Sequence, residues 1–194
     1  MGVLTSGLPT MISVNGEICR IRADYQTCLK IIMAFEDKEL TSMEKAMILL
    51  ELLYIDKPKD IQTALEKGIL FLDCGEERSK EGVERSDSDI SRKYSFQHDE
   101  KYIFAGVNKV LNGRLSAGGF VHWWEFVLAF MDLPEDCLMS KIIYYRTQYA
   151  KGRLTREEKE IWAKNRELFE LPVEISAEEE QALDVFMQKL GRKP

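Results

Sequence analysis

Histidine is scarce in this chain: only His98 and His122 occur among 194 residues, and neither sits in a pattern that supports acid–base or metal chemistry. No Cys-x-x-Cys, His-Glu-x-x-His, Gly-x-Gly-x-x-Gly or Gly-x-x-x-x-Gly-Lys-Ser/Thr pattern is present, and a metal site needs three or four converging ligands. His98, in Gln-His-Asp-Glu, therefore reads as part of a polar first helical turn, and His122 as a surface or cleft-edge residue. No catalytic centre, metal or cofactor is expected. Basic charge is also short, with 27 Lys and Arg against 33 Asp and Glu for a formal charge of -6, which argues against a nucleic-acid partner whose affinity comes from neutralising phosphates. No run approaches the ~20 apolar residues of a membrane span, and no leader pattern opens the chain, so the expected location is the cytoplasm. The four cysteines, Cys19, Cys28, Cys74 and Cys137, are widely spaced and embedded in apolar segments, as reduced, buried thiols are.

What remains is helical periodicity. Met11 to Arg22 alternates in polarity on both sides of Asn15-Gly16, a dipeptide suited to a two-residue turn with positive φ, which predicts a β-hairpin. Asp24 caps a helix with Tyr25, Cys28, Leu29 and Ile32 on one face. Thr41 and Glu44 form a capping box for a second, whose buried stripe is expected to be Met43, Ala46, Met47, Leu50, Leu53 and Tyr54. A third runs through Ile61, Ala64, Leu65, Ile69 and Leu72 to a stop at Cys74-Gly75. Ser95 is read as the cap of a fourth, with Tyr102, Ile103, Val107, Val110 and Leu111 inward and Asn112-Gly113 closing it. A fifth spans roughly Gly119 to Asp132. A sixth carries Leu138, Ile142, Tyr145 and Tyr149, and a seventh opens on the Thr155/Glu158 box. The fold class expected is mostly α: a compact multi-helix domain of about seven to eight helices with an N-terminal β-hairpin.

Residues 1–172 read as a single helical domain, the hairpin occupying 10–23. The stretch 76–93 carries only Val83 and Ile90 as sizeable apolar residues, too few to offset its ordering entropy, and reads as a flexible internal loop. Beyond Pro172, residues 173–194 hold a last capping box, Ser176/Glu179, and an apolar stripe of Ala182, Leu183, Phe186, Met187 and Leu190. That helix either docks on its own domain or binds a partner.

The most informative dipeptide is Trp123-Trp124. Adjacent indoles on a helix point about 100° apart, so both cannot lie in the centre of one seam, and one is expected to be partly exposed. A groove beside the fifth helix, lined by Trp123, Phe126 and Phe130 with His122 and Glu125 at its rim, is the candidate partner site, with Phe186, Met187 and Leu190 of the last helix as a second apolar surface. Met43, Met47, Met131, Met139 and Met187 are candidates for adaptable packing.

Several blocks together resemble the bacteriophage gene-product-15 (Gp15) family of tail-associated proteins. They are Ala23-Asp24-Tyr25-Gln26-Thr27 after the hairpin, Phe71-Leu72-Asp73-Cys74-Gly75, Tyr94-Ser95-Phe96-Gln97-His98-Asp99, His122-Trp123-Trp124-Glu125-Phe126, Leu133-Pro134-Glu135-Asp136 and Ser140-Lys141-Ile142-Ile143-Tyr144-Tyr145-Arg146. The resemblance covers about residue 4 to Pro172. It implies a phage or prophage tail protein encoded between the major tail protein and the tape-measure protein, the gene position of tail assembly chaperones. The partners implied are the tape-measure protein and the major tail protein, in the cytoplasm of the bacterial host. Homo-oligomerisation stays open, as do two alternatives: a minor structural component retained in the virion, and a small helical regulatory binding protein. The resemblance carries no catalytic residues.

Overall fold

The computed structural model describes residues 3–76 and 93–172. A four-residue helix, α1 (Val3–Ser6), precedes β1 (Met11–Val14) and β2 (Glu17–Arg20), and α2 (Tyr25–Glu36), α3 (Ser42–Leu53) and α4 (Ile61–Leu72) follow. The second half holds α5 (Glu100–Val110), α6 (Trp123–Met131), α7 (Leu138–Ala150), α8 (Arg156–Lys164) and α9 (Arg166–Phe169). The described residues are thus mostly α with one small antiparallel hairpin, as the sequence pattern predicts. The loop expected at 76–93, apart from its two ends, and the helix expected after Pro172 lie outside the described residues.

Local chemistry sets the element ends. Asn15 and Gly16 both take positive φ, 48° and 86°, and pair Val14 with Glu17 and Ile12 with Cys19 in register, as a type I′ turn requires. Both capping boxes form, Thr41 with Glu44 and Thr155 with Glu158. Asp24 accepts from the Thr27 N–H, and Asp60 from the Thr63 N–H. At the end of α4, Gly75 adopts φ 81° and its N–H returns to the Leu70 carbonyl at 2.8 Å, satisfying one of the terminal acceptors.

The extended residues after β2 stitch the two halves together. Arg22 N–H donates to the Leu53 carbonyl at 2.7 Å and Ile55 N–H to the Arg20 carbonyl at 2.9 Å, which fastens one side to the end of α3. On the other side Tyr25 N–H donates to Val121 at 3.0 Å and Trp123 N–H to Ala23 at 2.7 Å. The starts of α2 and α6 are therefore fixed to each other by backbone hydrogen bonds. Arg22 also donates to the Glu51, Leu52 and Tyr54 carbonyls at the C-terminal end of α3, where a cation suits the helix dipole.

Three expected helix faces are rotated. In α3 the fully buried side chains are Leu49 and Leu53, while Met43 and Met47 are exposed by 70% and 58%, because contact with α2 and α4 selects the Leu49/Leu53 side. Leu49 meets the open surface of Gly68 on α4, so Ala64, Gly68, Phe71 and Leu72 face inward there while Ile61 and Ile69 face out. In α7 the buried face is Met139, Ile142 and Arg146, leaving Leu138 and Tyr149 exposed. Two starts also shift: residues 120–122 are not helical and α6 begins at Trp123, while Ser95 closes a turn ahead of α5 by accepting from the His98 N–H.

Candidate functional site

Helix α6 is the floor of the site. Both α2 and α5 pack against it, and an apolar groove runs along the face of α2, with α5 and the 94–96 turn as its other wall. One part, of about 490 Å³, is lined by Tyr25, Leu29 and Met33 of α2, Ile103 and Phe104 of α5, and Phe96 and Phe126. The other, of about 630 Å³, shares Phe96 and Phe126 and continues past Ile32, Tyr94, Phe130 and Met131 to Cys74. The α2 positions Tyr25, Leu29, Ile32, Met33 and Glu36 fall at helical spacing along one face, so a single helix edge borders the whole groove.

Aromatic stacking holds its shape. Phe126 stacks with Tyr25 at 5.0 Å and with Trp123 at 5.9 Å between ring centroids, both close to parallel. Tyr94, Phe96 and Phe130 form a three-ring wall with centroids 5.0–6.0 Å apart, and such pairs add to their area burial. Met33, Phe104, Leu128 and Met131 stand exposed at the mouth, and Glu36, Asp73 and Glu76 make its rim acidic. Burial pushes the Cys74 thiol up to about 11, with Glu76 and Asp73 adding to the shift, so at neutral pH this wall is a neutral thiol rather than a nucleophile.

Trp123, Phe126 and Phe130 therefore line one groove, but His122 and Glu125 do not stand at its rim. His122 is buried as the N-cap of α6: its Nδ1 accepts from the Trp124 N–H at 3.0 Å, which leaves Nε2 to donate to the Pro9 carbonyl at 2.9 Å. Burial holds its pKa below the usual histidine value, outweighing the Pro9 hydrogen bond and Glu125. The surface or cleft-edge position expected for it assumed a helix running from about Gly119; with the start at Trp123, position 122 becomes a buried cap. Glu125 pairs with Arg114. His98 is exposed in the turn before α5, and no group of three or more His, Cys, Asp or Glu able to hold a metal occurs among the described residues. Phe186, Met187 and Leu190 lie outside the described residues.

The two tryptophans divide as their geometry demands. Trp123 is buried and Trp124 half-buried, and their indole N–H groups donate to the Leu72 and Phe71 carbonyls at 2.9 and 2.7 Å, capping α4 from outside. A second lock escapes sequence reading. Asp99 and Arg146, both buried, meet in a bidentate pair at 2.6 and 3.0 Å. The remaining guanidinium N–H groups donate to the carbonyls of Phe169, Lys93 and Leu168. All five donors are used, which is the condition for burying such a pair without a large penalty. The helical spacing of Ile142 and Tyr145 hinted only that Arg146 flanks an inward face.

Thus the Phe71-to-Gly75 block meets Trp123-Trp124, and the Tyr94-to-Asp99 block meets the block ending in Arg146: the segments that carry the family resemblance brace one another around the groove. Among the described residues no helix is long and apolar enough to cross a membrane. No curated protein and no solved structure matches the chain. The family model described as Bacteriophage Gp15 protein matches residues 4–171, spanning every element from α2 to α9 together with the hairpin, and the chain belongs to that phage protein family.

Proposed function

We propose that the chain is a phage tail assembly protein, a chaperone that holds apolar helical segments of the tape-measure protein in the α2–α5 groove during tail morphogenesis in the host cytoplasm. The observation that carries this reading is the groove itself: a rigid aromatic floor and wall opening onto exposed Met33, Phe104, Leu128 and Met131. A helix seats in such a groove through side chains at i, i+3, i+4 and i+7. Methionine and leucine at the mouth make polarisable, adaptable contacts, suited to a client whose sequence varies along its length. Contacts of this kind are individually weak, so the major tail protein can displace the chaperone as it polymerises around the tape measure.

The test is co-expression with the tape-measure protein. Leu128→Glu and Met131→Glu alter exposed side chains and leave the core alone; they should cut the soluble, co-purifying tape measure several-fold with the helical circular dichroism unchanged. Unaltered co-purification would remove the groove from the mechanism. Purified virions decide between a chaperone and a retained minor tail component: the chain is expected to be absent, and its presence at fixed stoichiometry would establish the structural role instead.

A further inference from the structure

The hairpin has an open edge along β1. Across the two-residue turn at Asn15 and Gly16, Val14 pairs with Glu17 and Ile12 with Cys19, so the N–H and C=O groups of Ile12 and Val14 bond to β2 while those of Met11 and Ser13 point away from it. Met11 and Ser13 are exposed, and neither backbone has a hydrogen-bond partner on that side among the described residues. The opposite edge is different at Arg20, whose N–H donates to Asp56 Oδ2 at 2.9 Å and whose carbonyl accepts from the Ile55 N–H at 2.9 Å.

Two features decide what fits the open row. The row is bounded: Pro9 has no N–H and its carbonyl already accepts from His122 Nε2 at 2.9 Å, and past Ser13 the chain turns at Asn15. Two donors and two acceptors are offered, and a longer strand gains nothing beyond them. The row is also neutral. No charged side chain occurs from Gly2 to Gly16, although exposed edges are commonly guarded by charge. Two copies of a chain of net charge -6 repel over much of their surface, and a strand paired with itself sets each side chain near its own duplicate, where a charge would oppose itself. At β1 that penalty is absent.

We propose that β1 pairs antiparallel with β1 of a second copy, about a two-fold axis at Ile12, joining two hairpins into one four-stranded sheet. In this register Met11 stands opposite the partner's Ser13, and Ser13 opposite the partner's Met11. Each pair exchanges two hydrogen bonds, so every donor and acceptor of the two rows is used. On the outer face the serine is small, and exposed Met11 leans across the partner's Ser13 towards the partner's Ile18, itself exposed. Neither strand lines the groove, so each copy keeps its own. On the function proposed above, one client is then held at two points, and avidity lengthens its stay without a stronger contact at either; the pairing itself does not rest on that function.

The test uses the full chain with no client present. The seam is small beside the ~800 Å² per partner of a standard interface, so sedimentation equilibrium should find a weak dimer, with Kd of about 1 µM to 1 mM. Hydrogen exchange at the Met11 and Ser13 amides should slow several-fold as concentration rises. Ser13→Pro removes an outward N–H that the hairpin does not use and should weaken Kd about tenfold with the helical circular dichroism unchanged. Met11→Glu and Ser13→Lys each set like charges diagonally across the axis and should weaken it several-fold, whereas mixing those two chains puts unlike charges opposite each other and should restore association. A dimer indifferent to all three substitutions, or mixed chains that associate no better than either alone, would overturn the proposal. A monomer throughout the concentration range would overturn it too, and would leave the edge to an extended segment of another protein. Association without client and co-purification with it are separate readings, so failure of either leaves the other standing.

Discussion

The indole N–H of Trp123 lies 2.9 Å from the carbonyl of Leu72, so a side chain of α6 completes the C-terminal end of α4. Trp123→Phe keeps most of the ring area and deletes the donor. The buried Leu72 acceptor is then left without its partner, at a cost of about 1–3 kcal/mol. Trp124→Phe, at a half-buried position where water can replace the indole, should cost less. Urea denaturation of both variants checks the order, and equal losses would contradict it.

Removing one member of the buried ion pair should be strongly destabilising. Asp99→Ala leaves the Arg146 guanidinium buried with no countercharge, and it also takes the acceptor from the Ser95 N–H. A loss of about 3–5 kcal/mol is expected. A chemical-denaturation midpoint within error of the parent would show that solvent reaches the guanidinium after all.

The buried cap at His122 makes stability depend on pH in a stated direction. Its folded pKa lies below the unfolded value of about 6.5, so below that pH the unfolded chain binds the proton more readily. The contribution is fully present above pH of about 6.5 and is lost as pH falls through that value towards the depressed folded pKa. Protonation would set an Nδ1–H against the Trp124 N–H that it now accepts from. His122→Asn keeps a side-chain acceptor at the cap and should flatten the pH dependence of the melting temperature in this window; an unchanged slope would assign the effect to other groups.

Gly68 offers a test of the α3–α4 contact. Inside an exposed helix, glycine to alanine stabilises by about 1 kcal/mol. Here the added Cβ would stand 2.7 Å from Leu49 Cδ2 and 3.2 Å from Leu53 Cδ2, both on fully buried side chains. Overpacking of about 1–3 kcal/mol should reverse the sign. A raised melting temperature for Gly68→Ala would mean that α3 and α4 can slide apart.

These cases show what a sequence can and cannot display. Caps and turns were legible because they are settled within four residues: Asn15-Gly16, Asp24, the two Thr/Glu boxes and Gly75 all behave as their local chemistry requires. Helix faces were less so. In α3 the stripe through Met43 and Met47 is as periodic as the one through Leu49 and Leu53, and contacts with α2 and with α4, where Gly68 makes room for Leu49, decide between them. The groove was half visible. Trp123, Phe126 and Phe130 announce an aromatic cluster, yet its other walls, Tyr25, Tyr94 and Phe104, come from segments far away in the chain. Asp99 and Arg146 lie in blocks quoted for their resemblance, and nothing in either block reveals that they touch.

The strap from Arg20 to Tyr25, bonded to the end of α3 on one side and to the start of α6 on the other, has a consequence for how the chain is made. A ribosome emits the hairpin first, but the seam between Tyr25 and Val121 stays open until the second half of the protein has emerged. Contacts so distant in sequence slow the closing step of folding, and during that interval the floor under the groove is missing. The groove therefore closes only after the residues of α6 have been made.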